Sequence, residues 1–230
     1  MIDVIELRDI PFSLDAELLM RQQHIPPGTE FAKTFMELIK QLQETARPKA
    51  IYAVSYIDAK GDDSVVIDGV TFTSRALRRN LDRVDRVFPY VATCGTEVDA
   101  LVTPENDVTR ALWLWTLEEV ILGAATEHLL KQLKTRYRMT RCSTMNPGSG
   151  DADVWPIEQQ KQLFTLFAGA EERIGVRLTD SLVMVPTMSE SGIVFASEVE
   201  FESCQLCHRE RCPSRKALFD EKLWQTLQAD

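Results

Sequence analysis

The chain has 230 residues, 44% hydrophobic and 27% charged, with a formal net charge of −9. That length supports one large domain with a real core, and the acidic balance excludes a general nucleic-acid binder, which needs a basic surface. The N-terminus MIDVIELRDIPF carries acids early and no basic region ahead of an apolar core, so no secretory leader is expected.

Apolar residues recur at helical spacing in 14–23 and 29–46. In the second stretch Phe31, Phe35, Leu38, Ile39 and Leu42 line one face, and Thr29 is placed to cap its start. AIYAVSYI (50–57) predicts a strand, and VVIDGVTF (65–72) a hairpin turning at Asp68-Gly69. Residues 74–86 predict an amphipathic helix with Leu77, Leu81 and Val84 inward, and FPYVATCG (88–95) a buried strand. A core helix is expected over 108–135. Its apolar run, 111–130, is broken by Glu118, Glu119 and Glu127 and is too polar to span a membrane. The reading is therefore a cytoplasmic protein, in which thiols are kept reduced.

STMNPGSGDADVWP (143–156) predicts a loop, residues 157–175 a helix, and 176–186 and 191–201 two strands placed to pair antiparallel. A cysteine segment follows, and then a closing helix over 217–228. Helices and strands mix without βαβ alternation. The fold class is α+β with a largely antiparallel sheet and flanking helices, in a single domain over 1–230 whose first 48 residues are a helical subregion.

The segment FESCQLCHRERCPSRK places Cys204, Cys207 and Cys212 within nine residues. Thiolates are soft ligands that suit zinc or an iron–sulfur cluster, and a Cys-Pro ending resembles ferredoxin runs. Three thiols fall one short of a closed zinc site. His208, Cys94 and Cys142 are the candidates to complete it, and a cluster with one open iron is the alternative. Four basic residues (Arg209, Arg211, Arg215, Lys216) surround the thiols and would lower their pKa values. A redox-active dithiol or a plain solvated turn also fits this composition. Five cysteines cannot all pair within one chain. His24, His128 and His208 show no metal spacing with one another, and Cys94 reads as a small buried residue. Trp113, Trp115 and Trp155 are read as core or as a partner-facing surface. No catalytic triad, Walker loop or Rossmann fingerprint is present, and no catalytic residue is assigned.

NPGSGDADVWPIEQQKQLFTLF, IGVRLTDSLVMVP and SESGIVF, in this order, resemble the C-terminal reactivation (activation) domain of cobalamin-dependent methionine synthase. The matching pieces are Pro147-Gly148, Gly175 to Ser181, Met184-x-Pro186 and Ser191-Gly192 to Phe195; the AATEH of the core helix (124–128) is also similar. The resemblance implies a twisted antiparallel sheet with helices, an activation-domain-like core over 49–201, a cysteine cluster added at 202–216 and a closing helix at 217–230. It implies S-adenosylmethionine as ligand and, as partner, a corrinoid-binding protein whose cobalt has been oxidised to Co(II), its cobalamin being reduced and remethylated. The implied ligand residues are Arg141, for the carboxylate, with Asn146, Pro147, Gly148, Ser149, Gly150, Ser191 and Gly192.

Three positions depart from the family pattern. Thr144 stands where the family has an arginine, Ser149 where it has a tyrosine, and Val194 where it has an aromatic. The competing reading is a metal-binding electron-transfer or protein-interaction module without S-adenosylmethionine, in which Asn-Pro-Gly-Ser-Gly is a surface turn.

Overall fold

The computed structural model describes residues 3–101, 107–198, 201–212 and 215–229. β1 (Asp3–Leu7) leads into α1 (Ala16–Gln22) and α2 (Glu30–Thr45). Thr29 caps α2 as expected, accepting from the Ala32 amide, and Asp15 caps α1 by accepting from the Leu18 amide. β2 (Lys49–Lys60) is followed by the hairpin β3 (Ser64–Ile67) and β4 (Val70–Thr73). Asp68 and Gly69 both have positive φ, as a two-residue hairpin turn requires. Asp58 and Asp68 tie this hairpin together by accepting from the Gly69 and Tyr56 amides.

Then come α3 (Arg75–Asn80), β5 (Arg86–Thr93), α4 (Val108–Tyr137) and β6 (Cys142–Met145). The last third holds α5 (Gln160–Thr165), α6 (Ala170–Ile174), β7 (Arg177–Leu178), β8 (Met184–Val185), β9 (Ser189–Ala196) and α7 (Glu221–Ala229).

Among the described residues one sheet has the order β4-β3-β2-β5-β9-β6, with β1 also on β2. All its pairings are antiparallel. β2 is long enough to carry β1 on its first half and β3 on its second. Side chains alternate between the faces, as strand geometry dictates. Tyr52, Phe88, Tyr90 and Val194 pack with Ala125, Leu129 and Leu133 of α4. Their neighbours Ile51, Val87, Val91, Ile193 and Phe195 join the opposite cluster, with Trp155, Leu163, Phe167 and Ile174. A third cluster joins α2 (Phe35, Leu38, Leu42) to the first half of α4. The buried positions of α4 are Trp113, Leu117, Ile121, Ala125, Leu129 and Leu133, one every four residues.

The structure agrees with the expected α+β class and largely antiparallel sheet and differs in its parts. β1 was not expected; its five residues gain their stability from pairing with β2. β6 lies at the start of the expected loop, because β9 supplies a partner to a stretch whose composition favours turns. The expected helix 157–175 is two short helices, broken where Ala168 and Gly169 take positive φ. The expected helix 74–86 is helical only over α3. The strands at 176–186 and 191–201 do not pair as a hairpin. β7 and β8 pair with each other, and β9 inserts between β5 and β6. Residues 199–200 of that expected strand, and 213–214 of the cysteine segment, lie outside the described residues.

Candidate functional site

Among the described residues β6 is the last strand of the sheet, with no strand paired on its outer edge. The Ser197 amide donates to the Arg141 carbonyl. Antiparallel pairs alternate between bonded and unbonded, and Thr144 pairs with Val194 three positions further on. The N–H and C=O of Thr144 therefore point away from β9, off the sheet. The chain then turns at Asn146–Gly150. Gly148 and Gly150 both have positive φ, and a Cβ on Gly148 would meet the Ile157 side chain at 2.7 Å.

The turn is held from below by Asn146. Its Nδ2 donates to the Ser191 carbonyl (2.8 Å), the Tyr90 hydroxyl (2.9 Å) and Glu190 Oε1 (3.1 Å). The Tyr90 hydroxyl itself donates to Glu190. Burial, and then the adjacent Glu190 carboxylate, push the Tyr90 phenol well above its ordinary range, so it stays a neutral donor. Ser191 is buried and accepts at 3.0 Å from Gln160 Nε2. Gly192 has no room for a side chain: a Cβ would lie 2.5 Å from both Asn146 Nδ2 and the Met145 carbonyl oxygen. Ser191 and Gly192 thus sit under the turn as its support.

The cysteine segment holds the turn from the other side. Asp151 Oδ2 lies 2.5 Å from His208 Nδ1, its Oδ1 accepts from the His208 amide at 3.1 Å, and it also takes a hydrogen bond from Cys207. Burial pushes the Asp151 carboxyl up, but these bonds, led by that of His208, outweigh it and leave its pKa below the ordinary value. His208 packs in a tilted contact on Phe219 (4.2 Å) and edge-to-face with Trp224 (4.7 Å). Arg215 gathers the segment by donating to the carbonyls of Cys204, Cys207, Arg209 and Ala217.

The predicted site residues divide accordingly. Asn146, Pro147, Gly148, Ser149, Gly150, Ser191 and Gly192 come together. Two of the expected donor amides are already used, Gly148 on the Trp155 carbonyl and Ser149 on that of Asn146. Arg141 is not brought to the turn. It precedes β6 whereas the turn follows it, and a strand rises roughly 3.3 Å per residue. Its guanidinium donates to the Glu198 carbonyl and lines a separate cleft.

Cys204, Cys207 and Cys212 do not form the expected ligand set. Among the described residues no three His, Cys, Asp or Glu side chains converge to hold a metal ion. Cys204 Sγ accepts the Lys216 amide at 3.4 Å, while Cys207 is engaged with Asp151. This donor arrangement fits neither a closed zinc site nor an iron–sulfur cluster, each of which gathers thiolates around one centre. Cys94 is buried, as expected, and burial, with Glu118 nearby, pushes its thiol up to about 12. Trp113 and Trp155 are core residues, but Trp115 is 52% exposed. With Val108 and Leu112 it forms an open apolar stripe on α4.

Comparison with known families settles what this arrangement belongs to. The family model for the activation domain of vitamin B12 dependent methionine synthase matches residues 76–212, more than half of the chain. The chain belongs to that activation-domain family. Its fold is similar to a solved structure, the MetH reactivation domain bound to AdoHcy, over 87% of this chain and 80% of that one, with a TM-score of 0.57 and 14% identity. No curated protein matches the chain. The matched stretch of this activation domain runs from α3 through β6, the turn and β9 to Cys212. Sequence reasoning missed Tyr90, Glu190, Gln160 and Asp151, which build the turn's surroundings. Tyr90 was signalled by a polar atom in an apolar strand and Glu190 by its place beside the Ser-Gly pair, whereas Gln160 and Asp151 lie in polar stretches with no local signal.

Proposed function

We propose that this chain is an accessory module for corrinoid-dependent methyltransferases. It holds S-adenosylmethionine along the open edge of β6 and the Asn146–Gly150 turn, so that the oxidised cobalt of a corrinoid-binding partner is reduced and remethylated. The observation that carries this reading is the outward-pointing backbone of Thr144, continuous with a turn kept rigid from both sides, inside the family-matched stretch. A related reactivation domain has been solved with AdoHcy bound, the molecule left when S-adenosylmethionine gives up its methyl group. Backbone donors and acceptors at a strand edge suit a ligand with an amino-acid end and an adenine ring. The Gly150 amide, which has no hydrogen bond among the described residues, suits the carboxylate. The role of the chain is to bind and orient the donor; the methyl acceptor belongs to the partner's corrinoid. The reading includes no electron delivery by this chain.

Calorimetric titration with S-adenosylmethionine and with AdoHcy tests it. A saturable one-to-one isotherm for both, weakened at least tenfold in Asn146→Ala and within about twofold of wild type in Arg141→Ala, supports the turn as the site. Absence of binding to either molecule overturns it. The second reading is an interaction module without this ligand, favoured by the exposed Val108–Leu112–Trp115 stripe.

A further inference from the structure

A broad cleft lined by residues outside the turn lies on the sheet. It encloses about 1360 Å³, above the roughly 300–1,000 Å³ usual for small-ligand sites. Phe195 and Val194 face opposite sides of β9: Val194 packs under α4, and Phe195 lines the cleft. The cleft therefore opens on the face opposite α4, near the start of β6, whereas the turn follows the end of that strand.

One wall is basic. Four arginines, Arg75, Arg78, Arg79 and Arg83, fall within nine residues of a chain with net charge −9, and all four line the cleft. Arg78 is fixed by its bonds to the Gly61 carbonyl (2.7 Å) and Asp82 (2.8 Å). Arg75 is exposed and makes no hydrogen bond or ion pair among the described residues. Arg83 is exposed beside Asp82, whose carboxylate is already engaged by Arg78 at 2.8 Å. Guanidinium forks match phosphate oxygens two at a time. The floor is apolar, made by Phe195, Phe201 and Leu223. The same wall carries Asp62 and Asp63, whose turn is bonded to the arginine helix through the Ser74 amide on the Asp63 carbonyl, and whose carboxylates are acceptors only. Carboxylates beside the arginines disfavour a bare polyanion. They favour a ligand that carries hydroxyl or amine donors close to its anionic group.

We propose that this cleft binds a nucleotide-type phosphate ester, with its phosphates on Arg75 and Arg83, its ring on the apolar floor and its hydroxyls toward Asp62 and Asp63. The site is independent of the S-adenosylmethionine reading, because neither Thr144 nor any residue of the Asn146–Gly150 turn lines the cleft.

Titrating the full chain by calorimetry with ADP, adenosine and inorganic pyrophosphate tests the proposal. ADP is expected to saturate a single site, with adenosine and pyrophosphate each at least tenfold weaker. In the double variant R75Q/R83Q the ADP dissociation constant should rise at least tenfold. R75K/R83K should recover part of that loss, and thermal melting of both variants should match wild type, since both side chains are exposed. Failure of ADP to saturate overturns the site, and so does an R75Q/R83Q variant that binds as wild type. Pyrophosphate binding as tightly as ADP overturns the nucleotide class, because the floor would then contribute nothing. ADP displaced by S-adenosylmethionine would place it at the turn and overturn the separate cleft.

Discussion

The Asn146–Asp151 turn is held from two sides by different means. On the sheet side one side-chain amide, from Asn146, reaches three acceptors, among them a fully buried tyrosine. On the cysteine side the links are partly exposed. A histidine meets an aspartate, and an arginine collects backbone carbonyls. Buried hydrogen bonds are costly to leave unmade, whereas exposed ion pairs contribute little. The sheet side should therefore set the turn's position, and the cysteine side should tune its mobility.

The strongest test of that difference is Gly192→Ala. The added Cβ would meet backbone oxygen at 2.5 Å, so β6 and β9 must separate. A loss of about 2 kcal/mol or more is expected in denaturant unfolding, together with loss of ligand binding. Next comes Asn146→Ala, which leaves buried acceptors unpaired and should cost about 1–3 kcal/mol. Equal stabilities of Asn146→Ala and Asp151→Asn would remove the distinction between the two sides.

The cysteine side should also respond to acid. The Asp151 carboxyl sits below its ordinary 3.8 in the folded chain. Its contribution is present above that value and is lost as pH falls through the lower folded value. Asp151→Asn should flatten this part of the stability curve below about pH 4, by less than about 1 kcal/mol given the partial exposure of the pair. Hydrogen exchange of the Asp151 amide, which donates to the Leu206 carbonyl, should rise over the same range while that of β9 does not. The smallest effect is expected for Cys204→Ser with Cys212→Ser. Anaerobically purified protein should carry no stoichiometric iron, sulfide or zinc, and the double variant should melt within about 1 °C of wild type. Stoichiometric metal lost in the variant would reverse the reading of this segment.

Much of the fold was legible because its signals are local. The Asp68-Gly69 hairpin, the Thr29 cap and the amphipathic α2 follow from neighbouring residues alone. The strand β6 was hidden because Ser143, Thr144 and Asn146 favour turns, and only β9, some fifty residues later, makes a strand of them. The pairing of 176–186 with 191–201 failed for the same reason: adjacency in sequence suggested a hairpin, while β5 and β6 offered longer partners to β9. At the site, the Pro-Gly and Ser-Gly pieces were found by their resemblance to the family, but the role of Gly192 was not. Its absent side chain makes room for Asn146, a contact between strands that no single segment encodes. Spacing along the chain does not fix where thiols point: among the described residues Cys204 Sγ meets the Lys216 amide and Cys207 meets the Asp151 carboxylate.

The four-residue spacing of the buried positions on α4 has a further consequence. At 3.6 residues per turn each step of four advances the buried face by about 40°, or about 200° from Trp113 to Leu133. The helix thus turns its apolar side from α2 to the sheet along its own length. Substitutions on its outer surface leave that phase untouched. One residue inserted or deleted near Ile121 would rotate everything beyond it by about 100° and bring polar positions against β2, β5 and β9. In a set of relatives, α4 should vary freely in side chains yet keep its length, with gaps confined to the loops at its ends.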